Sequence, residues 1–249
     1  MKLEFYYWSY QCPLNYDMLR LLEEYGDRLD IVCRDITGKP ELAKEHRMFY
    51  PTLTVVEGRF RYFSPLRREF LEELCRGRLP QGRPYRPRLS AREYAAEIVP
   101  LTPETVALAA GCTGGTCERA CKAKLRFWKE AAGEPLGFLH IRGEELLGGA
   151  EYLPASRVPY DIPKQEDTAF LTCLYCSDEV YDYKSAPLHV LEKYLAGKYR
   201  RILAISDEKG VFPNGDLDFF LRNGYRDAGV IVREPGYCTL HLVEKFIIS

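Results

Sequence analysis

Residues 76–90, RGRLPQGRPYRPRLS, hold five arginines, three prolines and two glycines with no acidic residue among them. Proline locks φ and lacks a backbone donor, so the run propagates neither a helix nor a central strand. It also lacks the apolar period of either element. A one-signed, proline-punctuated stretch solvates better than it packs. The 249-residue chain is therefore expected to form two units, residues 1–78 and 92–249, joined by a linker at 79–91. The arginines read as a solvated linker or as an anion-binding strip, and clustering alone does not separate the two.

Hydrophobic residues make up 46% of the chain and charged residues 29%, the profile of a globular protein with real cores. Basic and acidic side chains number 35 and 36, so no overall field draws the chain to nucleic acid or an anionic membrane. The sequence opens Met-Lys-Leu-Glu-Phe without a charged-then-apolar leader, and no apolar run approaches the roughly 18 residues that span a bilayer. A cytoplasmic protein with neither partner is the expectation. Nine cysteines, an odd number without a leader, argue for reduced thiols rather than a disulfide framework.

In the first unit KLEFYYW reads as a strand, and Met18, Leu21, Leu22 and Tyr25 recur at helical spacing. LDIVCRDI is a second strand, KPELAKEH a helix, TLTVVEG and FRYF two strands, and Leu66, Phe70, Leu71, Leu74 and Cys75 a closing helix. In the second unit TPETVALAAG and CERACKAKLRFWKEAAG read as helices closed by glycine. The strands LGFLHIRG, LLGGAEYLP and TAFLTCLYC follow, then a helix in APLHVLEKYLAGKY, the strand RILAISD, a short helix in LDFFLRNG, and the strands AGVIVRE and CTLHLVEKFII. Both units are α/β with mixed sheets.

YYWSYQCPLN, residues 6–15, ends an aromatic run in Cys12 and Pro13, ahead of the first helix. With FYPTL at 49–53, where Pro51 precedes a strand, it resembles the thioredoxin fold. That resemblance implies a cysteine at the first helix N-terminus, where free N–H groups favour a thiolate, facing a cis-proline at Pro51. The second cysteine of the family's pair is Asn15 here, so dithiol exchange within the unit has no resolving thiol. Cys12 reads as a monothiol forming mixed disulfides, as a shaper of a recognition groove, or as a packed cysteine.

The element order from residue 92, with FFLRNGYRDAG before two terminal strands, resembles the GNAT acetyltransferase superfamily. EYLPA and CLYCS, with the aromatic-aromatic-x-x-x-Cys-Pro pattern of the first unit, are similar to the YoaP-like acetyltransferases, in which the thioredoxin-like unit follows rather than precedes. The resemblance implies acetyl-CoA as cofactor and an amine of a small molecule or peptide as acceptor. It places Cys173, Leu174 and Tyr175 on the splayed strand beside pantetheine, and Tyr183, Lys184, Ser185 and Ala186 at the pyrophosphate loop. Lys184 would pair with a phosphate. The loop SDEVYDYKSAP contains no glycine and carries Asp178, Glu179 and Asp182, which oppose a phosphate. Glu151 falls where the family holds a catalytic glutamate, with an outward strand carboxylate as the alternative. Phe220 stands where the family has a proton-donating tyrosine, and Tyr175 is the substitute donor or a core aromatic. Asn214 in FPNGD is a ligand contact or a helix N-cap.

GCTGGTCERAC brings Cys112, Cys117 and Cys121 together, and Cys173 with Cys176 forms a second pair. Thiolates so spaced could hold zinc or an iron–sulfur cluster, but the spacing matches no standard motif, and packed thiols are expected instead. The expected function is acetyl-CoA-dependent N-acetyl transfer, with the first unit positioning the acceptor. The alternative is a non-catalytic ligand-binding or thiol-sensing protein whose CoA loop has degenerated.

Overall fold

The computed structural model describes residues 1–247 apart from 83, 85–89, 110, 111, 113–117, 132–134, 177–179 and 211–213. The first unit runs β1 (Lys2–Tyr7), α1 (Leu14–Glu23), β2 (Asp30–Asp35), α2 (Pro40–Glu45), β3 (Thr52–Val56), β4 (Phe60–Tyr62) and α3 (Arg68–Cys75). Its strands lie in the order β2-β1-β3-β4, with β1 parallel to β2 and antiparallel to β3. Side chains alternate across a strand, so β1 sends Leu3 and Phe5 to one face and Tyr6 to the other, where Trp8 follows just past its end. The first face packs on α1 and α3, with Met18, Leu22, Leu71 and Leu74. The second face packs on α2 and on the second unit. Two covered faces explain why KLEFYYW and TLTVV are near-continuously apolar rather than alternating.

The second unit adds β5 (Glu97–Pro100), α4 (Val106–Ala109), α5 (Glu118–Ala131), β6 (Gly137–Arg142), β7 (Glu145–Pro154), β8 (Thr168–Cys176), α6 (Ser185–Leu195), β9 (Arg201–Asp207), α7 (Leu217–Arg222), β10 (Arg226–Glu234) and β11 (Cys238–Phe246). Its seven strands lie in the order β10-β11-β9-β8-β7-β6-β5. One face is covered by α6 and α7 through Leu188, Leu191, Leu195, Phe219 and Phe220. The other is covered by α4, α5 and the first unit.

Two irregularities in β8 position the site. Opposite β7, Glu151 pairs with Cys173 and Tyr152 with Leu171, so Thr172 is bulged out of register. On the other side β8 and β9 run parallel but pair over only Thr168, Ala169 and Phe170 against Arg201, Ile202 and Leu203. Beyond Phe170 the strands part and leave a wedge between them.

The units meet face to face. Trp8 packs edge-on against Phe127 and Tyr160, with centroids 6.0 and 5.4 Å apart, and Phe63 against Tyr237 at 5.2 Å. Arg61 pairs with Glu234 at 3.0 Å, and Ser64 bonds the Tyr237 hydroxyl at 2.9 Å. Residues of both units form one continuous apolar core.

Candidate functional site

The seam between the units holds a sealed polar cluster. Lys124, on the inner face of α5, is 4% exposed and donates from Nζ to Glu151 Oε2 at 2.9 Å and to the Gln11 carbonyl at 3.0 Å. Burial works against its ammonium, but Glu151 outweighs that and leaves the lysine above its usual pKa. Cys12, Cys112 and Cys173 lie within electrostatic reach of this pair. Glu151 is thus an inward-facing, ion-paired carboxylate, not an outward-facing strand residue.

Burial also pushes the Cys12 thiol up, and the backbone donors of Leu14 and Asn15 together with Lys124 do not reverse it. This direction runs against the acidic thiolate expected at the α1 N-terminus, with desolvation outweighing the helix end. Pro51 departs from expectation as well. No peptide bond among the described residues is cis, and the Pro51 carbonyl serves as acceptor for Trp8 N–H at 3.0 Å.

Tyr175 also faces the seam. Its ring lies on Gly149, where a Cβ would come within 2.6 Å of it, so glycine is required there. The hydroxyl is buried beside Glu151, and burial followed by the Glu151 charge push the phenol well above its usual pKa. That makes Tyr175 a poor proton donor in this state. Phe220 is fully buried, packed edge-on to Tyr225 at 5.1 Å.

Across β8 from the seam lies the wedge. Asn214, 1% exposed, spans it: Leu174 N–H donates to Asn214 Oδ1 at 2.9 Å, and Asn214 Nδ2 donates to the Ile205 carbonyl at 3.3 Å. Asn214 is therefore not the helix cap. Asp216 caps α7, accepting Phe219 N–H at 2.7 Å. At the α6 N-terminus the Asp182 carboxylate accepts from Lys184 N–H and Ser185 N–H at 3.0 Å each and from Ser185 Oγ at 2.6 Å. Asn223 donates to Ser185 Oγ at 3.3 Å, linking α6 to the end of α7.

Lys184 does not reach outward to a phosphate. It is 4% exposed, turned inward with Nζ 6.0 Å from the Phe219 ring, and burial lowers its pKa. Tyr183 is also buried, and its carbonyl lies 3.3 Å from His140 Nδ1. Ala186 remains half-exposed beside a cavity of about 400 Å³ lined by Glu93, Tyr94, Asp182 and His189.

Cys173 and Cys176 are three residues apart on β8 and so point to opposite faces, and Cys121 Sγ lies 3.7 Å from the Ala107 carbonyl. Cys117 lies outside the described residues. Among the described residues no group of three or more His, Cys, Asp or Glu could hold a metal ion.

Gln11 and Lys124 were not singled out by the sequence reading. A signal for Lys124 exists: it stands within the apolar stripe of Ala120, Ala123, Phe127 and Trp128, where a solvated lysine does not belong.

Neither a protein-family model nor a curated protein matches the chain. Its neighbours among solved structures are GNAT acetyltransferases. The aminoglycoside 6'-N-acetyltransferase from Enterococcus faecium has 15% identity and a TM-score of 0.43, over 61% of this chain and 98% of that one. The GNAT-family acetyltransferase from Streptococcus pneumoniae has 11% identity and a TM-score of 0.46, over 61% and 98%. An aminoglycoside 6'-N-acetyltransferase complexed with coenzyme A has 14% identity and a TM-score of 0.42, over the same shares. Among the described residues no helix is long and apolar enough to cross a membrane.

Proposed function

We propose that the chain is a GNAT-type N-acetyltransferase, with a thioredoxin-like first unit forming the acceptor side and acetyl-CoA entering the wedge between β8 and β9. The observation that carries this reading is the parting of β8 from β9 after three paired residues, which frees main-chain groups of β8 for a ligand. The donor set there suits the cofactor. Asn214 presents an amide between Leu174 N–H and the Ile205 carbonyl, standing in for an amide of pantetheine. Asp182 presents an oxyanion to two backbone N–H groups and a hydroxyl, standing in for a phosphate.

Main-chain groups of Cys173, Leu174 and Tyr175 would hold the pantetheine arm, and the amides of Lys184 and Ser185 with the Ser185 hydroxyl would hold phosphate. When bound, acetyl-CoA supplies an activated thioester. Glu151, held by Lys124 behind the seam wall, is the proposed base and would take the amine proton through a bridging water. The acceptor is an amine of a small molecule or peptide.

A second reading, ligand binding without transfer, draws on the bridges of Asn214, Lys184 and Asn223, which close the wedge with the chain's own side chains. Calorimetric titration with millimolar acetyl-CoA decides between them. Transfer requires a heat of binding and a raised Tm, about 2.7 kcal/mol of stabilisation at a hundredfold excess over Kd. Absence of both gives the second reading the field.

A further inference from the structure

The loop between β1 and α1 is held in a conformation that a side chain disfavours. Ser9 is a non-glycine residue at φ 37°. Its N–H bonds Asp35 Oδ1 at 3.2 Å, and its carbonyl accepts from Asn15 Nδ2 at 2.7 Å. Such geometry persists where its surroundings over-determine it. Here the bracing aims Gln11, 3% exposed, out of its own unit.

Both polar ends of Gln11 land on the second unit. The backbone carbonyl accepts from Lys124 Nζ at 3.0 Å, and Nε2 donates to the Thr172 carbonyl at 3.4 Å. Lys124 is the ion partner of Glu151, and Thr172 is the bulged residue of β8. One residue of the first unit thereby touches both irregular features of the second unit's site.

We propose that Gln11 is a positioning residue: its carbonyl fixes Lys124 against Glu151, its side-chain amide holds the β8 bulge, and the site of the second unit is incomplete without the first. The proposal deepens the acetyl-transfer reading and rests on it only for what the site binds. In this arrangement the loop that carries Cys12 acts as a wall of the seam, with the cysteine itself partly exposed.

Cys173 follows the bulge directly and reports its opening, while Cys33, exposed on β2, serves as reference. N-ethylmaleimide labelling followed by peptide mass spectrometry gives both rates in one sample of the full-length chain. In the wild type Cys173 should label more slowly than Cys33. Gln11→Met keeps the volume and removes the donor, and should raise the Cys173 rate roughly fivefold with Cys33 unchanged.

Gln11→Glu should also open the seam at neutral pH. Relative to wild type at the same pH it should recover on acidification, because a protonated carboxyl again donates to Thr172. A role in filling space alone would show no such recovery. Wild-type Cys173 labelling as fast as Cys33, a Gln11→Met rate equal to wild type, or a Gln11→Glu effect indifferent to pH would each overturn the proposal. Calorimetry with acetyl-CoA on the wild-type sample separates the two ideas: without binding the transfer reading falls, while the labelling result still judges Gln11.

Discussion

Lys124 in the seam and Lys184 in the wedge are equally buried, at 4% exposure, yet their surroundings act on them in opposite directions. Lys124 meets a carboxylate and a carbonyl, and its pKa ends above the ordinary value. Lys184 lies near an aromatic ring, and burial lowers its pKa. Removing one partner of a buried ion pair strands the other, so the seam resists opening. Asn214 bridges the wedge through neutral hydrogen bonds, which a ligand amide can replace at little net change. The difference teaches which gap suits a ligand and which serves as a fixed wall.

The sharpest way to break this contrast is Lys124→Met, which leaves the Glu151 carboxylate buried alone. It should lower stability by about 3–5 kcal/mol at neutral pH in denaturant unfolding. Replacing Glu151 by leucine as well should restore most of the loss, and a double variant as weak as the single one would mean that the pair is not what holds the seam.

Asn214→Ala tests the wedge. It strips the partners of Leu174 N–H and the Ile205 carbonyl and should cost about 1–3 kcal/mol. A cost near zero would show that water replaces the bridge freely. Lys184→Met should cost less than Lys124→Met at neutral pH, since the fold disfavours the Lys184 charge where it favours that of Lys124.

The pH dependence of the difference between wild type and Lys184→Met follows from linkage. The folded-state pKa of Lys184 lies below its ordinary 10.5, so the unfolded chain binds the proton more readily and wild-type stability rises with pH towards that value. Wild type should therefore gain stability relative to Lys184→Met as pH rises towards 10.5. A difference that stays unchanged up to high pH would assign the effect of the substitution to packing.

Cys12→Ser is expected to be the mildest change, within about 0.5–1 kcal/mol, and alkylation of Cys12 should be slower than that of exposed Cys33. Faster labelling of Cys12 would return it to the class of reactive thiols and undo the wall assignment.

Strands covered on both faces were legible because their apolar runs are long: KLEFYYW and TLTVV announced themselves, as did the leucine stripe of α6. β5 escaped notice because Glu97–Pro100 is a four-residue edge strand, half-exposed and ending in proline. The site was less legible than the fold for a physical reason. Glu151 and the α6 N-terminus could be placed by position along the chain, but the inward turn of Lys124 and the reach of Gln11 depend on a partner more than a hundred residues away. Asn214 likewise bridges two strands that no local pattern brings together.

The two sheets are joined across their faces by a shared apolar core. A chain severed within residues 83–89 should accordingly stay together through Trp8, Phe127, Tyr160 and the Arg61–Glu234 pair. By the same reasoning the halves could be produced as separate polypeptides and reassembled by mixing, or encoded in the opposite order, and the particle would be the same.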